Sequence, residues 1–251
     1  MKLIDAFGID RGDVVALVGA GGKTATMFAL GEEAVEKGFR VVLTTTTRIY
    51  FPGAGIGRPV VLAGGPEILV KVREVMEGSP LVVAGAGTDG DNKMTGVEKG
   101  LAGRFLEAGA DLVVAEADGS AGRPFKAPRE GEPVIPEAAT LVVPVVGIDC
   151  LGRPLSAGYV HRPEMVARLT GLRPGEVIAP RIVAGVLTHA AGYRKDVPAG
   201  SRWVPFINKV ESAKDLRLAR ELAELLGRGG AGKVVIGSAL RAGPAREVLV
   251  F

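Results

Sequence analysis

Six consecutive residues, Gly19-Ala20-Gly21-Gly22-Lys23-Thr24, carry the plainest chemistry in this sequence. They follow a continuous apolar run, Asp13 to Gly19, and open a segment of helical periodicity from Lys23 to Lys37 that stops at Gly38. Glycines let backbone N–H groups turn toward an anion, and a helix N-terminus adds positive potential. A lysine in this position reaches terminal phosphates, and a threonine hydroxyl beside it coordinates Mg²⁺. The strict phosphate-loop spacing places a glycine at position 17, where this chain has Leu17, so the loop is a variant with its glycines drawn toward the lysine. A dinucleotide fingerprint would put a third glycine where Thr24 stands, and an ordinary glycine-rich turn is the plainer alternative. The Gly-Gly-Lys-Thr tail in a strand–loop–helix context favours phosphate, with Gly19, Ala20, Gly21, Gly22, Lys23 and Thr24 as the expected contacts.

Glu116 and Asp118 close a second apolar run, Asp111 to Ala115. If that strand neighbours the first, a carboxylate there holds Mg²⁺, directly or through water, or orients an attacking water. Lys23, Glu116 and Asp118 are therefore the candidate catalytic residues. Thr24 with Glu116 or Asp118 forms the candidate metal site. Thr44 to Thr47 end another strand, with Arg48 next. Their hydroxyls, Thr45 among them, are offered to the Mg²⁺ shell, although β-branched threonines also simply suit strands.

Phe206-Ile207-Asn208-Lys209-Val210-Glu211 ends a further strand and resembles the Asn-Lys-x-Asp element of GTP-binding proteins. There the acidic side chain accepts two N–H groups of guanine, the asparagine contacts the purine and the lysine stem packs on the base. Glu211 replaces the usual aspartate, which loosens guanine selectivity. After an intervening helix and strand, Gly237-Ser238-Ala239-Leu240 resembles the Ser-Ala element, whose backbone N–H faces the guanine O6. Asn208, Lys209, Glu211, Ser238 and Ala239 thus form a candidate base site, with GTP slightly preferred over ATP. A strand-end polar cap followed by the helix N-cap Ser212 explains the first segment equally simply.

Other polar residues carry weaker expectations. His161-Arg162 reads as a polar pair before a helix, with anion binding as the sharper alternative. His189 reads as packed or superficial. Arg123, Lys126 and Arg129 read as a solvated basic loop, with a phosphate-bearing substrate facing it as the sharper alternative, and Cys150, with no second cysteine, reads as structural.

Strands alternate with helices nearly throughout, which predicts an α/β fold of the P-loop NTPase type: a mainly parallel sheet with helices on both faces, in one domain over residues 1–251. Further strands are expected at Phe39 to Leu43, Pro59 to Ala63, Leu81 to Ala84, Thr140 to Val146, Arg202 to Asn208 (interrupted by Pro205), Lys233 to Gly237 and Glu247 to Phe251. Helices are expected at Pro66 to Met76, Val97 to Ala108, twice between Pro163 and Tyr193, and from Ser212 to Leu226. Phe51 to Arg58 reads as a loop and Thr88 to Gly96 as a hairpin tip. In such a sheet ligands sit at the carboxyl ends of the strands, where the motifs cluster.

Composition supports this reading. The 251 residues are 47% hydrophobic and 24% charged, a globular balance. Aromatics at 5% are too sparse for a single-strand stacking surface, and a net charge of +3 without a basic run argues against nucleic acid as a partner. A single cysteine, no visible signal peptide and no long apolar segment predict a cytoplasmic protein without a membrane span.

The segments GAGGKT, LTTTTR, AEADGSAGRPFKAP and VGIDCLGRPL followed by VHRPE resemble the YqeC-like proteins over nearly the whole chain. AEADGS followed by RPFKAP is the most specific part, because it is no general phosphate-loop signature. The resemblance implies an accessory protein for the maturation of selenium-dependent molybdenum hydroxylases, with such an enzyme or its cofactor-maturation proteins as partners. The family supplies no assigned catalytic residue. The expected activity is slow, Mg²⁺-dependent hydrolysis of GTP or ATP. The alternatives are a kinase or transferase acting on a small cofactor precursor, or a non-catalytic scaffold that binds nucleotide as a fold ligand.

Overall fold

The computed structural model describes residues 1–50, 57–89 and 93–251. Valine-, leucine- and alanine-rich runs become strands, and stretches with apolar residues on one face become helices. The first half of the chain runs α1 (Leu3–Phe7), β1 (Val14–Gly19), α2 (Lys23–Glu36), β2 (Val41–Thr45), β3 (Ile49–Tyr50), β4 (Val60–Leu62), α3 (Glu67–Met76), β5 (Leu81–Gly85), β6 (Gly87–Asp89), β7 (Lys93–Thr95), α4 (Lys99–Ala102) and β8 (Leu112–Glu116). The second half continues β9 (Phe125–Lys126), β10 (Leu141–Gly147), β11 (Val160–His161), α5 (Pro163–Thr170), α6 (Pro180–Thr188), β12 (Arg202–Trp203), β13 (Phe206–Asn208), α7 (Ala213–Arg228), β14 (Lys233–Gly237) and β15 (Ala245–Val250).

The main sheet has the order β15-β14-β13-β10-β1-β8-β2-β5-β4, with β12 also on β10. Its pairings are parallel except that β15 returns antiparallel on β14. Every residue of β1, β2, β5, β8 and β10 is buried, as strands covered on both faces require. Alternate residues then face opposite layers. Val15, Leu17, Val41 and Leu43 pack with Met27 and Leu30 of α2. On the other face, Val14, Val42 and Val113 meet Ile68 and Val72 of α3, while Ala16, Val142 and Val146 share a cluster with α6 and α7. This is the α/β architecture that the alternation predicts.

Local departures have local causes. Pro205, which has no N–H to give a ladder, splits the expected strand into β12 and β13. The helix expected over Val97 to Ala108 is instead α4 followed by a single tight turn, Gly103–Phe105. Gly100 and Gly103 weaken helix there, and Gly103 lets Ala138 approach so closely that a Cβ would sit 2.4 Å from its own. The five residues of α1 are too few for periodicity to reveal, and the Glu33 carboxylate fastens the helix by accepting from the Ile4 amide at 2.8 Å. The Thr88 to Gly96 stretch forms the antiparallel arms β6 and β7, extended by β3. The tip of that hairpin, residues 90–92, and most of the loop expected over Phe51 to Arg58 lie outside the described residues. Among the described residues, no helix is long and apolar enough to cross a membrane.

This topology decides where the motifs meet. β1 lies between β10 and β8, with Leu17 opposite Glu116 and Gly19 opposite Val145. The glycine loop therefore leaves the sheet between the ends of those two strands.

Candidate functional site

The loop between β1 and α2 needs its glycines. Gly19, Gly21 and Gly22 have φ of +92°, +83° and +116°, a region closed to most side chains. A Cβ on Gly21 would lie 2.1 Å from the Gly147 nitrogen, so the end of β10 presses directly on the loop. Three amides of the expected anion cradle donate inward: Gly19 to Asp118 Oδ2 at 3.1 Å, Ala20 to the Val145 carbonyl at 2.9 Å and Gly21 to the Arg123 carbonyl at 3.0 Å. The expectation that Gly19, Ala20 and Gly21 present their N–H groups to phosphate therefore meets a different arrangement. Those three shape the loop, and the free donors come next. Among the described residues, the amides of Gly22, Lys23, Thr24 and Ala25 meet no protein acceptor, as the first turn of a helix leaves them. Gly22, Lys23 and Thr24 line the cavity described below, at the positive end of the 14-residue α2.

Lys23 is buried within this ring. Its Nζ donates to the Gly19 carbonyl at 2.7 Å and lies 3.3 Å from Asp118 Oδ1 and 3.5 Å from Glu116 Oε1. Burial opposes its charge, but the two carboxylates outweigh burial and hold its pKa above the usual lysine value. Thr24 Oγ1 donates to Glu116 Oε2 at 2.7 Å. Glu116 lines the cavity, whereas Asp118 is fully buried behind the loop. Asp118 Oδ2 accepts from Gly19 N–H and from the Tyr193 hydroxyl at 3.0 Å, with Lys126 Nζ at 3.1 Å. Among the described residues its Oδ1 has no hydrogen-bond partner, and it faces Lys23 at 3.3 Å. The two carboxylates thus take different places, Glu116 beside the threonine and Asp118 among buried cations. Burial and the Asp118 charge push the Tyr193 phenol well above its ordinary range, so it stays a donor.

Two residues of this network were not visible as functional in the sequence. Tyr193 comes from a distant turn, and no motif marks it. Lys126, expected in a solvated loop, is instead wholly buried and donates to the Gly119 carbonyl at 2.7 Å and to Glu132 at 2.8 Å. Its setting between Phe125 and Ala127, both buried, and the parallel pairing of β9 with β11 explain the correction.

The cavity measures about 530 Å³, within the roughly 300–1,000 Å³ of small-molecule sites. Its lining falls into two contact groups: Gly22, Lys23, Thr24 and Glu116 at the start of α2, and Arg129, Glu132 and Arg162, with Arg123 and His161 also in the lining. Glu132 gathers three cations: Lys126, Arg162 at 2.6 Å and Arg129 at 3.1 Å. Burial works against its charge, but hydrogen bonds from Arg162 and Lys126 prevail and draw its pKa down to about 2. Burial, Arg162 and Lys126 together depress the His161 pKa, which keeps the ring neutral near pH 7.

The threonine run divides. Thr44, Thr45 and Thr46 donate to the carbonyls of Ala84, Glu116 and Val134. Thr45 therefore ties β2 to β8 rather than facing the cavity, where Thr47 and Arg48 stand. Arg48 is engaged with Asp89.

The two base-site elements come together at the ends of β13 and β14. Asn208 Nδ2 donates to the Gly21 carbonyl at 2.9 Å, and its Oδ1 accepts from the Ala239 amide at 2.9 Å. The asparagine thus latches the glycine loop to the Ser-Ala turn with its own polar atoms. Ser238 Oγ donates to Glu211 at 3.0 Å, and Arg241 pairs with the same carboxylate. Lys209, at φ +65°, borders the cavity and reaches Asp149 at 2.9 Å. Cys150 is fully buried and His189 lies at the surface, both outside the cavity.

The Thr24 hydroxyl and the Glu116 carboxylate are hard oxygen donors open to a cavity, which fits Mg²⁺. Among the described residues, no three His, Cys, Asp or Glu side chains come together as a metal cage. A site of one or two protein oxygens completed by water and phosphate is how Mg²⁺ is usually held.

Two stability measurements follow. Gly21→Ala combines a left-handed backbone with a clash against Gly147, so it should cost at least about 2 kcal/mol. Gly65→Ala has a similar positive φ but nothing within 4 Å, and should cost only about 1 kcal/mol. Thermal unfolding of the pair checks the difference. Because the folded-state pKa of Glu132 is depressed, its stabilisation is full above about 4.5 and is lost as pH falls toward about 2. Glu132→Gln should be less stable by about 2–3 kcal/mol at pH 7, a gap that urea titrations should see close across that acid window.

The profile of the YqeC protein family matches residues 15–164. A curated relative from Escherichia coli strain K12, named uncharacterized protein YqeC, is 33% identical over 229 residues, covering 89% of this chain and 86% of the relative. Among solved structures, a crystal structure of FtsY from Mycoplasma mycoides aligns with 95% of this chain and 63% of its own, at 13% identity and a TM-score of 0.44. A second crystal form of that protein aligns with 90% of this chain and 52% of its own, at 9% identity and a TM-score of 0.32. This chain therefore spans less than two thirds of the FtsY chains it matches. The matched profile runs from the first residues of β1 to the start of α5 and includes the glycine loop, Glu116, Asp118 and the arginine-bearing wall; the chain belongs to the YqeC family.

Proposed function

We propose that this protein binds a nucleoside triphosphate with Mg²⁺ and hydrolyses it slowly, with GTP preferred over ATP. The observation that carries the reading is the contact of Thr24 with Glu116 at 2.7 Å, beside a buried Lys23 and four free amides at the start of α2. The amides of Gly22 to Ala25 receive the phosphates, and Lys23 supplies a permanent positive charge behind them. Thr24 and Glu116 hold the metal, which neutralises charge on the phosphate oxygens when bound. Asp118 acts from behind, by fixing Lys23 and the Gly19 amide.

The preference for guanine is supported by the meeting of Asn208, Glu211, Ser238 and Ala239 at adjacent strand ends. Both Glu211 oxygens already accept, Oε1 from Ser238 and Oε2 from Arg241, so guanine N–H groups would have to share or displace these donors. The family resemblance adds a process, the maturation of selenium-dependent molybdenum hydroxylases, in which nucleotide turnover would drive delivery or activation of the cofactor. The cationic wall of the cavity favours a second reading, a kinase or transferase acting on a small cofactor precursor.

Equilibrium binding of GTP and ATP, each with and without Mg²⁺, separates these readings. The expected result is Mg²⁺-dependent binding, tighter for GTP, and weakened at least tenfold by Lys23→Ala. Tighter binding of ATP would reject guanine recognition, and wild-type affinity in Lys23→Ala would reject the phosphate site.

A further inference from the structure

The cavity has two chemically different sides, and the nucleotide reading uses only one. Lys23, Glu116 and Asp118 nearly balance one another on the loop side. The arginine group is not balanced. There a single carboxylate, Glu132, serves Lys126, Arg129 and Arg162, and Lys126 is shared with Asp118. Arg123 stands on the same wall, exposed, with no hydrogen bond or ion pair to its guanidinium among the described residues. Across the whole network, Lys23, Arg123, Lys126, Arg129 and Arg162 oppose only Glu116, Asp118 and Glu132. The formal surplus of this set is two positive charges, with Lys93 lining the cavity in addition.

The backbone of that wall is held in uncommon conformations. Ala121 and Arg162 are non-glycine residues in the left-handed region, at φ +48° and +61°. Left-handed residues of this kind persist where surrounding structure over-determines them, and they gather at ligand sites. Here the over-determination is visible. The Arg123 carbonyl anchors the Gly21 amide, the Pro124 carbonyl anchors Gly147, and Arg162 is fixed on Glu132.

Strand order separates this wall from the base site. The candidate base residues lie beyond β10, at the ends of β13 and β14. Glu116 lies on the opposite side of β1, at the end of β8. A nucleotide with its phosphates at the start of α2 and its base toward β13 would point its terminal phosphate at the arginine wall and leave the space beyond open.

We propose that Arg123, Arg129 and Arg162 bind the phosphate group of a second, small-molecule substrate, placed beside the terminal phosphate of the nucleotide. A phosphate dianion matches the two-charge surplus, and guanidinium groups bind its oxygens in pairs. The cavity volume is that of a small-molecule site. Neutral His161 offers one further hydrogen bond at the rim. The inference rests on the nucleotide reading of the α2 loop for its geometry, but the phosphate subsite can be tested separately.

The experiment is a calorimetric titration of inorganic phosphate into the full-length protein saturated with Mg²⁺ and a non-hydrolysable analogue of its preferred nucleotide. Phosphate should bind without displacing the analogue. Arg123→Ala, which removes no intramolecular contact, should weaken phosphate at least tenfold and change nucleotide affinity less than twofold. Arg162→Lys keeps a cation beside Glu132 but loses the fork, and should weaken phosphate at least threefold. Absence of phosphate binding to the saturated protein, or displacement of the analogue by phosphate, would overturn the proposal. So would an equal loss of nucleotide affinity in Arg123→Ala, which would assign the arginine to the nucleotide itself. If no nucleotide binds but phosphate still binds in an Arg123-dependent way, the subsite stands and the nucleotide reading falls.

Discussion

The site depends on one buried carboxylate. Asp118 is fully enclosed, and burying an ion costs several kcal/mol unless it is paired and hydrogen-bonded. The chain answers with two ammonium groups, a backbone amide and a phenol, contributed by four separate segments. Lys23 starts α2, Gly19 ends β1, Lys126 lies in β9 and Tyr193 follows α6. Tyr193 also fixes Trp203 through its carbonyl, at 2.9 Å, so the network reaches into the second half of the fold. Loss of any one partner would leave charge stranded in a dry interior, a penalty of about 3–5 kcal/mol for a broken buried pair. That cost keeps the loop in one geometry before any ligand arrives.

From this constraint the division of labour follows. Because Asp118 is occupied with structure, Glu116 is the carboxylate left beside Thr24 at the cavity. Because Gly19, Ala20 and Gly21 spend their amides on the protein, the anion-facing donors move to the first turn of α2. Because Gly21 lies against Gly147 and its carbonyl accepts from Asn208, the loop is coupled to the base-side elements through a single asparagine. The candidate phosphate loop, metal site and base site therefore all hang on one junction at the ends of β1, β8, β10 and β13.

How much of this was legible in the sequence varies with the distance over which each contact acts. Buried strands such as Val14–Gly19 and Leu141–Gly147 declare themselves by unbroken apolar runs, and the Ser212 capping box declares the start of α7. Lys23, Thr24 and Glu116 stood out as candidates because strand ends in parallel sheets gather ligands, and the fold brings the three together. The direction of an individual donor was not. Nothing local says that the Gly21 amide seeks the carbonyl of Arg123, roughly a hundred residues later, or that Thr45 turns to Glu116. Lys126 misled for the same reason. A lysine near two arginines looks solvated until Asp118 and Glu132, brought close by the fold, make burial affordable. Tyr193 could have been suspected only from its rarity among three tyrosines, which is no physical signal.

The charge distribution bears on whether the protein is a scaffold or an enzyme. A scaffold that used nucleotide only to complete its fold would need one balanced anion site. Here the buried carboxylate meets two ammonium groups behind the loop, whereas the arginine-bearing wall has more arginines than carboxylates, and Arg123 has no ion pair among the described residues. Like charges on one wall repel, and an anionic oxygen entering from the cavity side relieves that repulsion, by an amount that solvent at the exposed Arg123 and Arg129 reduces. The wall therefore fits the proposed second phosphate, which would lie near the start of α2, beside the terminal phosphate of the proposed nucleotide.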